Sequence, residues 1–225
     1  MYFWNNLSYW RYALAKGMVG NDVAVLQLNL GITVDGEFKD QTFDAVKQVQ
    51  QEHFTNPLDW DGIAGGKTQQ LIVTIKSRAA TRRHMIPNGL LKSICANESG
   101  FYLAAFSQHP SDNGFDLGAY QSSIGPQGLA ETQENFTHSY KVSYMADLTG
   151  KRVKAAHDHF ATLQIVSQDL YDGNYYKQVM AQGINDKFAW CLAVLNHNWP
   201  SAAENLATIG SVYKDSTRDD QEEQW

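Results

Sequence analysis

The sequence predicts a mostly α-helical protein in two parts, a small three-helix domain followed by a larger helical one. Three observations carry this expectation. Apolar residues recur at three- and four-residue intervals through several long segments. The octapeptide DGEFKDQT (Asp35–Thr42) returns as DGIAGGKT (Asp61–Thr68), 26 residues on. A segment with little apolar content, KSRAATRRHM (Lys76–Met85), then separates the two parts. The expected organisation is therefore a domain over 1–75, a linker over 76–85 and a second domain over 86–225.

Composition excludes several function classes. With 225 residues, 43% hydrophobic and 12% aromatic, the chain can fill one large core or two small ones. A net charge of −6 argues against a general nucleic-acid binder, which needs a basic footprint. No stretch approaches the ~20 apolar residues of a membrane span, so membrane insertion is not expected. The opening run MYFWNNLSYWRYALAKG is aromatic, but Asn5, Asn6, Ser8 and Arg11 interrupt it and no basic region precedes an apolar core. It does not read as a signal peptide, so a cytoplasmic start is expected. Two cysteines, Cys95 and Cys191, allow at most one bridge and fit a reducing compartment. No cofactor is expected, and the chain reads as a monomer.

The first helix is expected from Val23, Leu26 and Leu30, with Asn21 as N-cap and Gly31 as the stop. Each Asp-Gly pair is a turn signal, because glycine accepts positive φ and the aspartate can close an Asx-turn. Each turn leads into a helical pattern, Thr42-Ala45-Val46-Val49 and then Thr68-Leu71-Ile72-Ile75. A calcium loop at Asp59-Trp60-Asp61-Gly62 fails on spacing. The EF-hand register would put Pro57 at the first ligand position and Thr68 where the closing glutamate belongs. No metal is expected there.

The runs KGMVGNDVAVLQLNLG, VDGEFKDQTFDAVKQVQ and DWDGIAGGKTQQLI resemble the peptidoglycan-binding module of bacterial wall hydrolases and phage endolysins. The resemblance covers roughly residues 14–75 and implies a wall-glycan or stem-peptide ligand. Asp35, Gly36, Asp61 and Gly62 are the candidate wall-binding residues, although turn building alone accounts for them equally. Residues 1–75 are expected to bind wall polymer by themselves. In the linker, Lys76, Arg78, Arg82 and Arg83 read as solvated. The sharper alternative is adhesion to an anionic wall polymer or lipopolysaccharide, which salt would weaken.

The second domain opens with IPNGLLKSICANESGF, where Asn88 is the expected N-cap and Leu90, Leu91 and Ile94 mark a buried stripe. Glu98 falls next on that stripe, in the last turn before Gly100. The negative end of the helix dipole and the apolar neighbours both disfavour a charged carboxylate there. A carboxylic acid kept protonated near neutral pH is what general-acid chemistry needs. The bland alternative is a glutamate turned to solvent at a frayed helix end.

Downstream come Asp112-Asn113-Gly114-Phe115 and Gly118-Ala119-Tyr120-Gln121. With Glu98-Ser99 this order resembles the lysozyme-like transglycosylase and goose-type lysozyme group, over roughly residues 86–206. The resemblance implies an α fold with minor β content that cleaves the glycan strand of peptidoglycan. By the same resemblance Glu98 is the catalytic acid and Asp112 an auxiliary carboxylate, with Asp116 the alternative to it. Ser99, Asp116, Tyr120, Gln121 and Asn196 would contact the glycan. The group's second auxiliary acid would fall at Ser123, and its usual Tyr-Asn pair is Leu195-Asn196 here. Two outcomes follow: hydrolysis, in which Asp112 or Asp116 orients water, or transglycosylation, in which Glu98 works alone and the sugar closes an anhydro ring. The missing acid at Ser123 favours the second, and Asp112 tips the balance to hydrolysis.

Beyond this, Val153, Ala156, Phe160, Leu163, Ser167 and Leu170 predict one long helix. His157-Asp158-His159 reads as a solvated face, since neighbouring helix positions diverge and no third ligand is evident. Trp199 is as well explained by a core as by sugar stacking. Ser201-Ala202-Ala203-Glu204 reads as a capping box, and the tail YKDSTRDDQEEQW as an acidic, loosely ordered end. Two rival functions are a cysteine amidase or peptidase using Cys95 or Cys191, and a non-catalytic wall-binding or virion protein that would not need Glu98. The leading expectation is an endolysin: made in the host cytoplasm, it would reach the wall after a separate membrane lesion.

Overall fold

In the computed structural model, residues 13–108, 115–124, 133–168 and 185–198 are described. They are mostly helical, with one small sheet. The helices are α1 (Asn21–Leu30), α2 (Asp40–His53), α3 (Gly66–Arg83), α4 (Leu90–Ser99), α5 (Gln133–Tyr140), α6 (Val142–Gln168) and α7 (Asn185–Asn198). The strands β1 (Phe106–Gln108), β2 (Phe115–Leu117) and β3 (Ser122–Ile124) form an antiparallel sheet in that order. No described helix is long and apolar enough to cross a membrane.

Two compact units divide the chain, one running to Thr149 and the other starting at Gly150. The expected wall-binding segment and the start of the expected catalytic segment therefore fall in one unit. In the second unit Phe160 of α6 packs with Ala189 and Leu192 of α7.

Each Asp-Gly turn is organised around a buried glutamine of the preceding helix. Gln27 Nε2 donates to Asp35 Oδ1 at 2.7 Å, the Glu37 carbonyl at 3.1 Å and Thr42 Oγ1 at 2.9 Å. Its Oε1 accepts from the backbone N–H of Asp35 and Gly36. Gln50 repeats the pattern, donating to Asp61 Oδ1 at 2.8 Å, the Ile63 carbonyl at 3.0 Å and Thr68 Oγ1 at 3.0 Å. Its Oε1 accepts from Gly62 N–H at 2.9 Å. Both glutamines are 1% exposed, so the burial of an amide is offset by a full set of partners. Gly62 has φ +69, which favours glycine, and a Cβ there would also come within 2.2 Å of the Phe43 ring and have to displace it.

Several boundaries differ from those read in the sequence. The N-cap of α1 is Gly20, not Asn21, and that of α4 is Gly89, not Asn88. The expected stops stand: Gly31 and Gly100 both adopt the left-handed conformation. The segment read as a linker is helical as far as Arg83 and belongs to α3. Its small residues Ser77 and Ala80 are buried, while Arg78, Arg82 and Arg83 are exposed on the other side. Arg83 and His84 converge on Asp147 Oδ1 of α6, at 2.6 and 3.0 Å. The long helix begins at Val142, eleven residues before the expected start at Val153.

Candidate functional site

The last turn of α4 meets the small sheet through the residue that follows the glutamate. Along α4, Leu91, Ile94 and Cys95 are buried at 1%, 3% and 0% exposure, and Glu98 continues that stripe. The Glu98 side chain is half-buried and its Oε1 is shielded from solvent. Ser99 Oγ donates to the Ala119 carbonyl at 2.8 Å, with the Cys95 carbonyl also within 3.2 Å. The Glu-Ser pair is thus tied to the turn Gly118-Ala119-Tyr120-Gln121 that joins β2 to β3.

That turn is closely built. Gly118 has φ +74, and a Cβ there would lie 2.6 Å from the Ser139 carbonyl at the end of α5. Only glycine allows the approach. Gln121 also has positive φ, and its Nε2 donates back to the Gly118 carbonyl at 3.0 Å and to the Asp116 carbonyl at 3.4 Å. Asp116 is half-buried on β2, paired in register with Ser107 on one side and Ser123 on the other. Residues opposite each other in an antiparallel pair share a face. Asp116 is therefore the register partner of position 123, where the resemblance implied an acid and the sequence has serine.

Tyr120, expected to contact the glycan, is buried instead. It is 1% exposed, and its hydroxyl lies 2.7 Å from Ser77 Oγ of α3. Ser77 spends its own proton on the Val73 carbonyl at 2.7 Å, so the Tyr120 hydroxyl is the donor to Ser77. The Cys95 thiol also interacts with the Tyr120 hydroxyl, and burial pushes the ionisation of both groups well up. Tyr120 works as a buried strut under the glutamate helix and is out of reach of a glycan. The same environment disposes of Cys95 as a nucleophile, because desolvation disfavours the thiolate that such chemistry needs. Cys191 is a free, exposed thiol within α7, again without the helix N-terminal position that activates a thiol.

Of the other expected site residues, Asp112 lies outside the described residues. Asn196 lies in α7, with its side chain outside them. Trp199, the capping box at Ser201 and the C-terminal tail are also outside. Asp35 and Asp61 are exposed, and each Oδ1 accepts from the backbone N–H two residues on as well as from its glutamine. These aspartates, with Gly36 and Gly62, close the turns. Asp61 also lines a cavity at the start of α3. His157 departs from its expected solvated position. It is 8% exposed and its ring stacks on Trp190 at 3.9 Å, while Asp158 and His159 are exposed.

The sequence reading missed Gln27, Gln50, Ser77, Gln69 and Asn29. Gln69 Oε1 accepts from Leu103 N–H, and Asn29 bridges the Tyr140 carbonyl and the Val142 N–H. A glutamine or asparagine on an otherwise apolar helix face was the available signal for the first two and for Asn29.

The chain matches no protein-family model, and no curated protein is found to be related to it.

Proposed function

We propose that this protein is a peptidoglycan-degrading enzyme of the endolysin type, cleaving the β-1,4 bond between aminosugars of the wall glycan with Glu98 as general acid. The observation that carries the reading is the setting of Glu98. A glutamate ends a buried helical stripe with one carboxylate oxygen shielded from solvent, and its neighbour Ser99 is bonded to the Ala119 carbonyl. Shielding of a carboxyl favours its protonated form, which can deliver a proton to the bridging oxygen. Leaving-group protonation by a positioned acid contributes about 10²–10⁴-fold in rate.

Hydrolysis is the favoured outcome, with a carboxylate on the other side of the sugar orienting water. Asp116 supports it, since this residue keeps a carboxylate on the sheet directly beside Ser123. Asp112 is the second candidate for that role. The Asp-Gly unit would hold the enzyme on the wall, and the enzyme would act there after a separate membrane lesion.

Glu98→Gln tests the reading. It preserves shape and cannot give up a proton, so clearing of outer-membrane-permeabilised cells should vanish while the circular dichroism spectrum stays. A variant that still cleaves purified wall glycan would sink the proposal. Mass spectrometry of the products separates the two glycan chemistries: reducing ends report hydrolysis, and 1,6-anhydro ends report transglycosylation by Glu98 alone.

A further inference from the structure

The second Asp-Gly repeat borders a cavity of about 230 Å³, lined among others by Phe54, Asp59, Ile63, Gly65 and Lys67. Aligning the repeats on their Asp and Thr residues shows how the space arises. Phe38, Lys39 and Asp40 of the first repeat correspond to Ala64, Gly65 and Gly66 of the second. Neither backbone nor packing requires glycine at position 65. Its φ is −76, open to any residue, and no heavy atom lies within 4 Å of where a Cβ would sit. The back of the cavity is preformed, because Gln50 and Thr68 are buried and bonded to each other and to the Ile63 carbonyl.

The lining is chemically mixed. Lys67 Nζ lies 3.5 Å from Asp59 Oδ1, with the two side chains 69% and 33% exposed. A solvated pair of this kind adds little to stability and can exchange its partners for a ligand's charges. Phe54 and Ile63 supply apolar wall beside it. The volume is below the roughly 300–1,000 Å³ of a pocket that encloses a whole small molecule. It suits one pendant group of a larger molecule.

We propose that this cavity binds a zwitterionic amino-acid group, with its carboxylate on Lys67, its ammonium on Asp59 and its carbon stem along Phe54 and Ile63. The inference rests on the wall-polymer reading and narrows it: the Asp-Gly unit grips the peptide stems of the wall, through the second repeat, and leaves the glycan to the Glu98 site.

The test uses the full chain carrying Glu98→Gln, so that the polymer stays intact. Binding is measured to purified sacculi and to sacculi stripped of their peptides by an amidase. Intact sacculi should bind at least tenfold more tightly. Lys67→Glu and Gly65→Leu should each cost about tenfold on intact sacculi, while Lys39→Glu in the first repeat should change nothing. Gly65→Asp adds the N-cap side chain that α3 lacks, so it should hold or raise the melting temperature while binding falls. Equal binding to intact and stripped sacculi would overturn the stem-peptide assignment and leave wall binding standing. Binding to neither would remove both. Undiminished binding by Lys67→Glu or Gly65→Leu would overturn the cavity as the site.

Discussion

Ser77 and Tyr120 share a hydrogen bond of 2.7 Å between two buried hydroxyls, and through it the C-terminal half of α3 braces the turn that holds Ser99. The second repeat's helix and the glutamate's surroundings are therefore parts of one packed body. Asn29 and Gln69 add two more buried polar links of the same kind, to the α5–α6 junction and to Leu103.

Removing both sides of this pair should cost less than the two single losses added together. Ser77→Ala leaves the Tyr120 hydroxyl buried without its acceptor, an expected loss of about 1–3 kcal/mol. Tyr120→Phe should cost about 1 kcal/mol. The double variant should lose less than the sum, because the orphaned hydroxyl is gone. Urea midpoints of the four proteins check this.

Residues 1–75 should not be a self-sufficient fragment, contrary to the expectation from the sequence. A cut there removes Ser77 and leaves Asn29 and Gln69 without their partners beyond it. The isolated fragment should melt at least several degrees below the full chain, or fail to fold, by circular dichroism. A fragment that melts with the full chain's midpoint would show that these links contribute nothing.

Ser99→Ala should separate positioning from chemistry. It removes the bond to Ala119 but leaves Glu98 in place. Displacements of about 1 Å near reacting groups cost on the order of 10²-fold. A fall in kcat of roughly ten- to a hundredfold, with little change in binding to intact sacculi, is the expected result. An unaltered rate would mean the Glu-Ser tie is only structural.

Thiol chemistry should be irrelevant to activity. Iodoacetamide on the native protein should label exposed Cys191 and spare buried Cys95, as read by peptide mass spectrometry. Lysis should persist after labelling. Loss of lysis in step with Cys95 modification would restore a cysteine hydrolase.

Acid should loosen the first Asp-Gly turn. The Glu37 N–H, and then the Gln27 side chain, hold the Asp35 carboxyl below its ordinary value of 3.8. A depressed folded-state value contributes stability that is present above 3.8 and is lost as pH falls through the lower folded value. Asp35→Asn should therefore differ in stability from the wild type near neutral pH, and the difference should shrink below about pH 4. Urea unfolding from pH 2 to 7 measures it, and a constant difference would dismiss the linkage.

How much of this was legible in the sequence depends on whether a feature announces itself locally. Gly31 and Gly100 were readable because a helix stop needs a residue tolerant of positive φ. The stripe leading to Glu98 was readable from Leu90, Leu91 and Ile94, of which Leu91 and Ile94 are buried and Leu90 half-buried. Gln27 and Gln50 were not, because they do not share the 26-residue offset of the Asp-Gly motifs: the second loop is longer, and the repeated chemistry slips out of register. The extension of α3 was missed because its buried face there is Ser77 and Ala80, small residues that leave little hydrophobic signal among exposed arginines. Three-residue strands are too short for any alternation to show.

The continuity of α3 also bears on how such a chain can be recombined. Composition invites a crossover between residues 75 and 86, where basic residues look like a tether. A chimera joined there would inherit one end of each of three buried polar contacts and supply foreign partners for the other. A graft that carries residues 13–149 as a block keeps all three pairs together. If the cavity beside Gly65 binds as proposed, its specificity could be exchanged by altering side chains around Gly65, leaving the splice points alone.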